Sequence, residues 1–230
     1  MATQPQRSPL ARLRPDRETL LWAAIVVNAE LILLLVFALR WDGQLLSVFA
    51  VRRWVYPFVW INVGGWAVLR TYPVASAAGA RRRRLVALLA VAYFAVLAYA
   101  GGLVGLAGHG GESFRVAYEN IPPGWSPAVL YTGYGVSLTL VPFKVAGYLA
   151  LAYLVYATVL DAAGSAVSGL LGLLSCVSCS WPVLASLLTG VAGGTAFASA
   201  VYWWSYDLST AVFLVTVALL YWRPFGSRTG

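Results

Sequence analysis

Apolar runs of roughly 20 residues, parted by clusters of arginine, recur along the whole chain and limit what it can fold into. A helix rises about 1.5 Å per residue, so one such run matches the ~30 Å hydrocarbon layer of a bilayer. With 60% of its residues hydrophobic and 10% charged, a chain of 230 residues cannot hide that surface in one soluble core. The pattern predicts an all-α fold, a polytopic membrane protein with a bundle of about six transmembrane helices. The membrane domain covers 19–223, between cytoplasmic tails at 1–18 and 224–230.

The first helix is expected over Leu20–Leu39, capped by Thr19 or Asp16. After an amphiphilic connection, the second runs over Trp54–Leu69, with Pro57 in its first turn, where a missing N–H costs little. The third covers Leu85–Ala107 and ends in GGLVGLAGHGG. Glu112–Pro127 reads as a surface loop, and Val129–Leu140 as interfacial or a partial helix. Pro142–Leu160 is the fourth span, and the fifth begins near Ala166. Tyr202, Trp203, Trp204 and Tyr206 suit an aromatic belt before the last span, Leu208–Trp222. A broken helix with a re-entrant segment over 166–206 fits the same residues.

Orientation follows from the cations. The net charge of +8 clusters at the ends of apolar runs, which suits topology and lipid head groups rather than nucleic acid. With both termini in the cytoplasm of a cell-membrane protein, eleven cations lie inside, against Arg40, Arg52, Arg53, Arg115 and Lys144 outside. The Arg81–Arg84 run is a topology anchor, and Lys144, at the outer end of its span, is placed to snorkel.

Chemistry centres on Leu170–Gly190, LLGLLSCVSCSWPVLASLLTG. Cys176 and Cys179, the two cysteines of the chain, stand three residues apart, on one helix face. Pro182 removes an N–H and clashes with the carbonyl of Ser178, so the helix is expected to kink or break there. Two thiols beside a kinked backbone suit a soft ion such as Cu(I), or a dithiol–disulfide cycle. Packing as small residues in a helix contact is the other reading. The one histidine, His109, and the one methionine, Met1, add no further ligands to a metal path.

Glu30 and Asn62 are the polar groups inside other spans. Counted along their helices, Cys176 and Glu30 lie roughly 15 Å deep and Asn62 roughly 12 Å, so one layer of the membrane holds all of them. A mid-membrane carboxyl is rare and faces the bundle interior, either as a proton or cation relay or as a protonated interhelical contact.

The segment SCVSCSWPVLASLLTG resembles the cysteine-bearing first helix of bacterial mercury-transport membrane proteins. It is also similar to membrane thiol-relay proteins of the cytochrome c biogenesis type. The likeness spans about 16 residues and implies Cys176 and Cys179 as metal thiolates or a redox pair. In the transporters the cysteines are adjacent, and in the relay proteins they sit on different helices. The chain as a whole resembles multi-pass membrane proteins of halophilic archaea.

Two functions are expected from these residues. One is a soft-metal or thiol-redox transport or assembly factor. The other is a non-catalytic membrane subunit packing against a transporter, a respiratory oxidase or another copy of itself. The sequence holds no acid–base pair, nucleophile triad or phosphate loop, so no enzyme is expected.

Overall fold

The computed structural model describes residues 17–40, 48–71, 79–106, 111–118, 121–162 and 195–222. Among these are five helices: α1 (Arg17–Arg40), α2 (Val48–Arg70), α3 (Ala80–Ala100), α4 (Pro142–Ala162) and α5 (Thr195–Trp222). Between α3 and α4 lie four strands: β1 (Val104–Gly105), β2 (Ser113–Ala117), β3 (Ala128–Thr132) and β4 (Ser137–Leu140). The protein is therefore mostly helical, but not all-α.

Three helical stretches, Arg17–Arg40, Ala80–Ala100 and Pro142–Leu160, are long and apolar enough to cross a membrane. Their outward faces are apolar as well. On α3, Val86, Ala90, Tyr93 and Leu97 are buried at helical spacing, while Leu85, Leu88, Val91 and Val96 are exposed. α1 buries no residue and is apolar all round, the pattern of a span. So much bare hydrocarbon suits lipid and not water.

Side-chain contacts fix the helix directions. α1 lies antiparallel to α2 through contacts spaced along its length. Arg70 donates to Thr19 Oγ1 at 2.9 Å, Asn62 meets Glu30, and Phe37 packs edge-on against Trp54 with centroids 5.3 Å apart. α2, α4 and α5 run parallel, and their largest interface is between α2 and α4. At the far end from the sheet, Arg82 donates to the Leu160 carbonyl and Tyr153 to that of Thr71. The ends near Thr19, Arg70, Arg82 and Leu160 thus share one side, and the sheet covers the other.

The third helix stops at Ala100, not Ala107. Gly102, at φ 73°, takes the left-handed conformation that costs glycine least. The Leu103 N–H then reaches back to the Ala98 carbonyl at 2.8 Å and that of Gly102 to Tyr99 at 3.2 Å, a Schellman ending. Leu103 plugs the core, and its carbonyl accepts from the Thr139 N–H, which docks β4.

The sheet runs β1-β4-β3-β2, all antiparallel. It corrects two expectations. Val129–Leu140 is a hairpin, not a partial helix, and the predicted loop Glu112–Pro127 contains β2. The physical reason is visible in AVLYT–GYGV–SLTL: β-branched and aromatic residues flank a glycine-bearing turn, closed by Gly133 N–H to Val136 O at 2.9 Å.

Two helices are longer than expected. α5 is continuous from Thr195, so the last helix does not begin at Leu208. α2 begins at Val48, which places Pro57 inside the helix and not in its first turn. Proline there leaves the Arg53 carbonyl, four residues back, without its helical donor. Trp125 Nε1 supplies one at 2.8 Å, and the Arg53 guanidinium lies over the Trp125 ring, 5.7 Å from its centroid. The loop before β3 is thereby fastened to the gap in α2. Trp125→Phe keeps the ring but leaves that carbonyl unpaired, and is expected to cost about 1–2 kcal/mol in detergent unfolding.

Candidate functional site

Glu30 lies mid-helix on α1, roughly 20 Å from Arg17 and roughly 15 Å from Arg40. Asn62 faces it from α2, and its Nδ2 donates to both carboxylate oxygens at 2.9 Å. Both side chains are partly buried. The other polar group nearby in sequence, Asn28, turns back on its own helix and donates to the Ala24 carbonyl at 2.8 Å. Glu30 and Asn62 are thus brought together, as a shared depth along their helices required but did not ensure. The pair joins a carboxyl and a carboxamide across two apolar helices, with no other side-chain hydrogen bond to Glu30 among the described residues.

Glu30→Gln preserves the hydrogen bond, since the side-chain carbonyl still accepts from Asn62. Glu30→Leu leaves the Asn62 amide without its partner. The expected costs are about 0.5 and about 1–2 kcal/mol respectively, read as the midpoint of unfolding in mixed detergent.

Cys176, Cys179, Pro182 and His109 lie outside the described residues, as do the tails at 1–16 and 223–230. Among the described residues no three His, Cys, Asp or Glu side chains group to hold a metal ion.

A second polar cluster forms at the sheet-side end of the helices. Arg52 Nη1 meets Asp207 Oδ2 at 2.7 Å, and the Tyr56 hydroxyl donates to Asp207 Oδ1. The acid comes from α5 and the other two from adjacent turns of α2. Sequence reasoning left Asp207 in the aromatic belt. Its signal was the one that marked Glu30: a lone carboxylate within a long apolar helix. Arg52 and Asp207 are both partly solvated, so the pair ranks between exposed and buried ones. Asp207→Asn is expected to cost about 1–2 kcal/mol, and the swapped pair Arg52→Asp with Asp207→Arg to recover most of it.

Beneath this cluster an aromatic layer joins α2, α4 and α5. Trp60 stacks on Phe213 with centroids 4.2 Å apart and 6° between planes. Phe143 and Tyr148 meet it edge-on at 5.6 and 5.7 Å. Its Nε1 donates to Thr210 Oγ1 at 3.2 Å. A small cavity of about 40 Å³ lies against this layer, bounded by Gly101, Ser209 and Leu97. Lys144, expected to snorkel outward, instead donates to the Gly101 carbonyl at 3.0 Å. It places a cation at the C-terminus of α3, where the helix dipole and an unpaired carbonyl favour one.

No curated protein and no solved structure matches the chain. The family of unknown function DUF7546 matches residues 1–227. With the match running through every described helix and strand, the chain belongs to the DUF7546 family.

Proposed function

We propose that this chain is a multi-pass protein of the cell membrane that transports, or helps to assemble, a soft copper-like metal or a thiol electron pair. Glu30 and Asn62 act as its proton or cation relay, and Cys176 and Cys179 as its sulfur ligands or redox couple. The observation that carries the reading is the Glu30–Asn62 contact, which joins a carboxyl to a carboxamide midway along apolar helices. A charge there is costly unless it is used or neutralised.

In this reading six spans cross the bilayer. α2 and α5 cross beside α4, and the segment 163–194 supplies the sixth. The Arg70 and Arg81–Arg84 side faces the cytoplasm with both termini, and the sheet lies outside. A reporter fused after Gly230 is expected to work only when it requires the cytoplasm. Activity of a periplasm- or exterior-dependent reporter there overturns the orientation.

The test is stoichiometry. The purified full chain is expected to retain about one Cu(I) per chain, and to lose it in Cys176→Ser and in Cys179→Ser. Under redox buffers the wild type should instead, or also, shift between free and alkylation-resistant thiols. Glu30→Gln should leave Cu(I) binding intact while slowing its transfer across vesicles. Neither thiol-dependent metal nor a redox shift means the sulfur reading is wrong.

The second reading is a non-catalytic subunit that docks through α1, favoured by the bare apolar surface of that helix. It predicts a co-purifying membrane partner that survives both serine changes and is lost when outward α1 residues such as Leu31 or Leu35 become tryptophan.

A further inference from the structure

One side of α4 meets the overhanging sheet at the edge of the core and leaves an open groove of about 380 Å³. Its helix wall is Pro142, Val145, Ala146 and Leu149, spaced as one stripe of a helix. The other wall is Val129 of β3 and Leu140 of β4, directly opposite one another in the sheet register. Both walls are apolar.

The groove continues into a larger apolar surface. Val116 of β2 pairs with Val129, so Val116, Val129 and Leu140 share one sheet face. Phe114, two residues on, shares it too and is 69% exposed. The opposite face carries Ala117 and Ala128, which are buried in the core cluster, and Leu130, which packs against it. The outward face is thus apolar, while the face toward the bundle mixes Ala117, Ala128 and Leu130 with Arg115 and Thr139. Edge strands cannot sit within hydrocarbon, because their free N–H and C=O groups need water. The sheet therefore belongs at the boundary, where Pro142 begins a membrane-length helix, and where its outer face and the α4 stripe open onto the acyl layer.

Resting on the membrane placement above, we propose that this groove seats the hydrocarbon chain of a lipid in the outer leaflet, with the Phe114–Val116–Leu140 face lying on that leaflet. The walls offer a chain no hydrogen bond, so recognition is by shape and apolar contact.

The full chain in phosphatidylglycerol vesicles, with a trace of the same lipid bearing a mid-chain diazirine, tests this on illumination. Label is expected in the peptide 127–149 at about fivefold the density on α1, a ~1 kcal/mol preference. Ala146→Trp, which fills the helix wall, and Val129→Trp, which fills the sheet wall, should each remove that excess and leave α1 labelled as before. The unchanged α1 label also reports that each variant is inserted and folded. Equal density on the two regions, or an excess that survives both tryptophans, overturns the groove. So does label displaced by chain-to-chain crosslinks through 127–149, which would make the occupant a second copy. Absence of label from α1 as well overturns the membrane placement, and the groove with it.

Discussion

Trp60→Ala should be the most damaging single substitution in the described part of the chain, lowering stability by about 3–5 kcal/mol. The residue, on α2, is 4% exposed and contacts both α4 and α5. Lipid is as apolar as the bundle interior, so helices in a membrane gain little from hydrophobic transfer and are held by packing. What the substitution removes is dispersion contact, with Phe213, Phe143 and Tyr148 each losing a face or an edge. It also strips Thr210 of its donor. Trp60→Phe keeps most of the ring contact and should cost about 1–2 kcal/mol, so the two variants apportion the effect between packing and the hydrogen bond. Unfolding in a detergent of increasing denaturing fraction, followed by helical circular dichroism, reads both. If Trp60→Ala unfolds with the wild type, the aromatic layer does not hold α2, α4 and α5 together.

The next largest effect is a matched pair with opposite signs. Gly147→Ala should destabilise by about 1–3 kcal/mol, because its methyl group would meet the Trp60 ring, which cannot move without disturbing its stack on Phe213. Gly65→Ala should stabilise by about 0.5–1 kcal/mol, since nothing lies within 4 Å of its methyl group and alanine loses less backbone entropy in a helix. The same change in two helical glycines thus separates close approach from intrinsic propensity. Equal shifts in the two variants would mean that α4 and α2 are not in contact at Gly147. The same assay orders the smaller effects given above for Trp125, Asp207 and Glu30.

The aromatic layer, the Pro57 gap and the Arg52–Asp207–Tyr56 cluster lie on the sheet-side half of the helices. Glu30 and Asn62 lie nearer the middle, where α1 touches α2 lightly. α2, α4 and α5 pack closely on one another, and α1 is joined to them by a few contacts spaced along α2.

Several features were already legible in the residues. The apolar run of α1 and the span from Pro142 needed only length, composition and the position of charge. A run with no polar stripe has the length and composition of a membrane span, so neighbours were not needed to define it as a helix. Depth along a helix, at a fixed rise per residue, also put Glu30 and Asn62 at compatible heights. Rotation about each axis is not set by depth, and the contact between them came from packing.

The sheet illustrates what local patterns leave open. AVLYT and SLTL are short, and apolar runs of that length suit a strand or part of a helix equally well. Pairing decided between them: β3 needed β2 on one side and β4 on the other, and β4 needed the carbonyl that the α3 ending presents. Pro57 was read as the mark of a helix start because that is where proline costs least. Its tolerance inside α2 depends on a donor from Trp125, 72 residues away, which no local rule contains. Asp207, which sequence spacing gave no role, acquires one only when Arg52 and Tyr56 are brought beside it.

The sequence by itself determined that long apolar helices must cover their backbone groups internally and keep arginine at their ends, because hydrocarbon satisfies neither peptide dipoles nor charge. Tertiary structure alone decided which polar groups meet, where the chain leaves helix for sheet, and how α2 survives its proline. Each of these depends on a partner far along the chain, and sequence spacing carries no information about a partner until the fold has closed the distance.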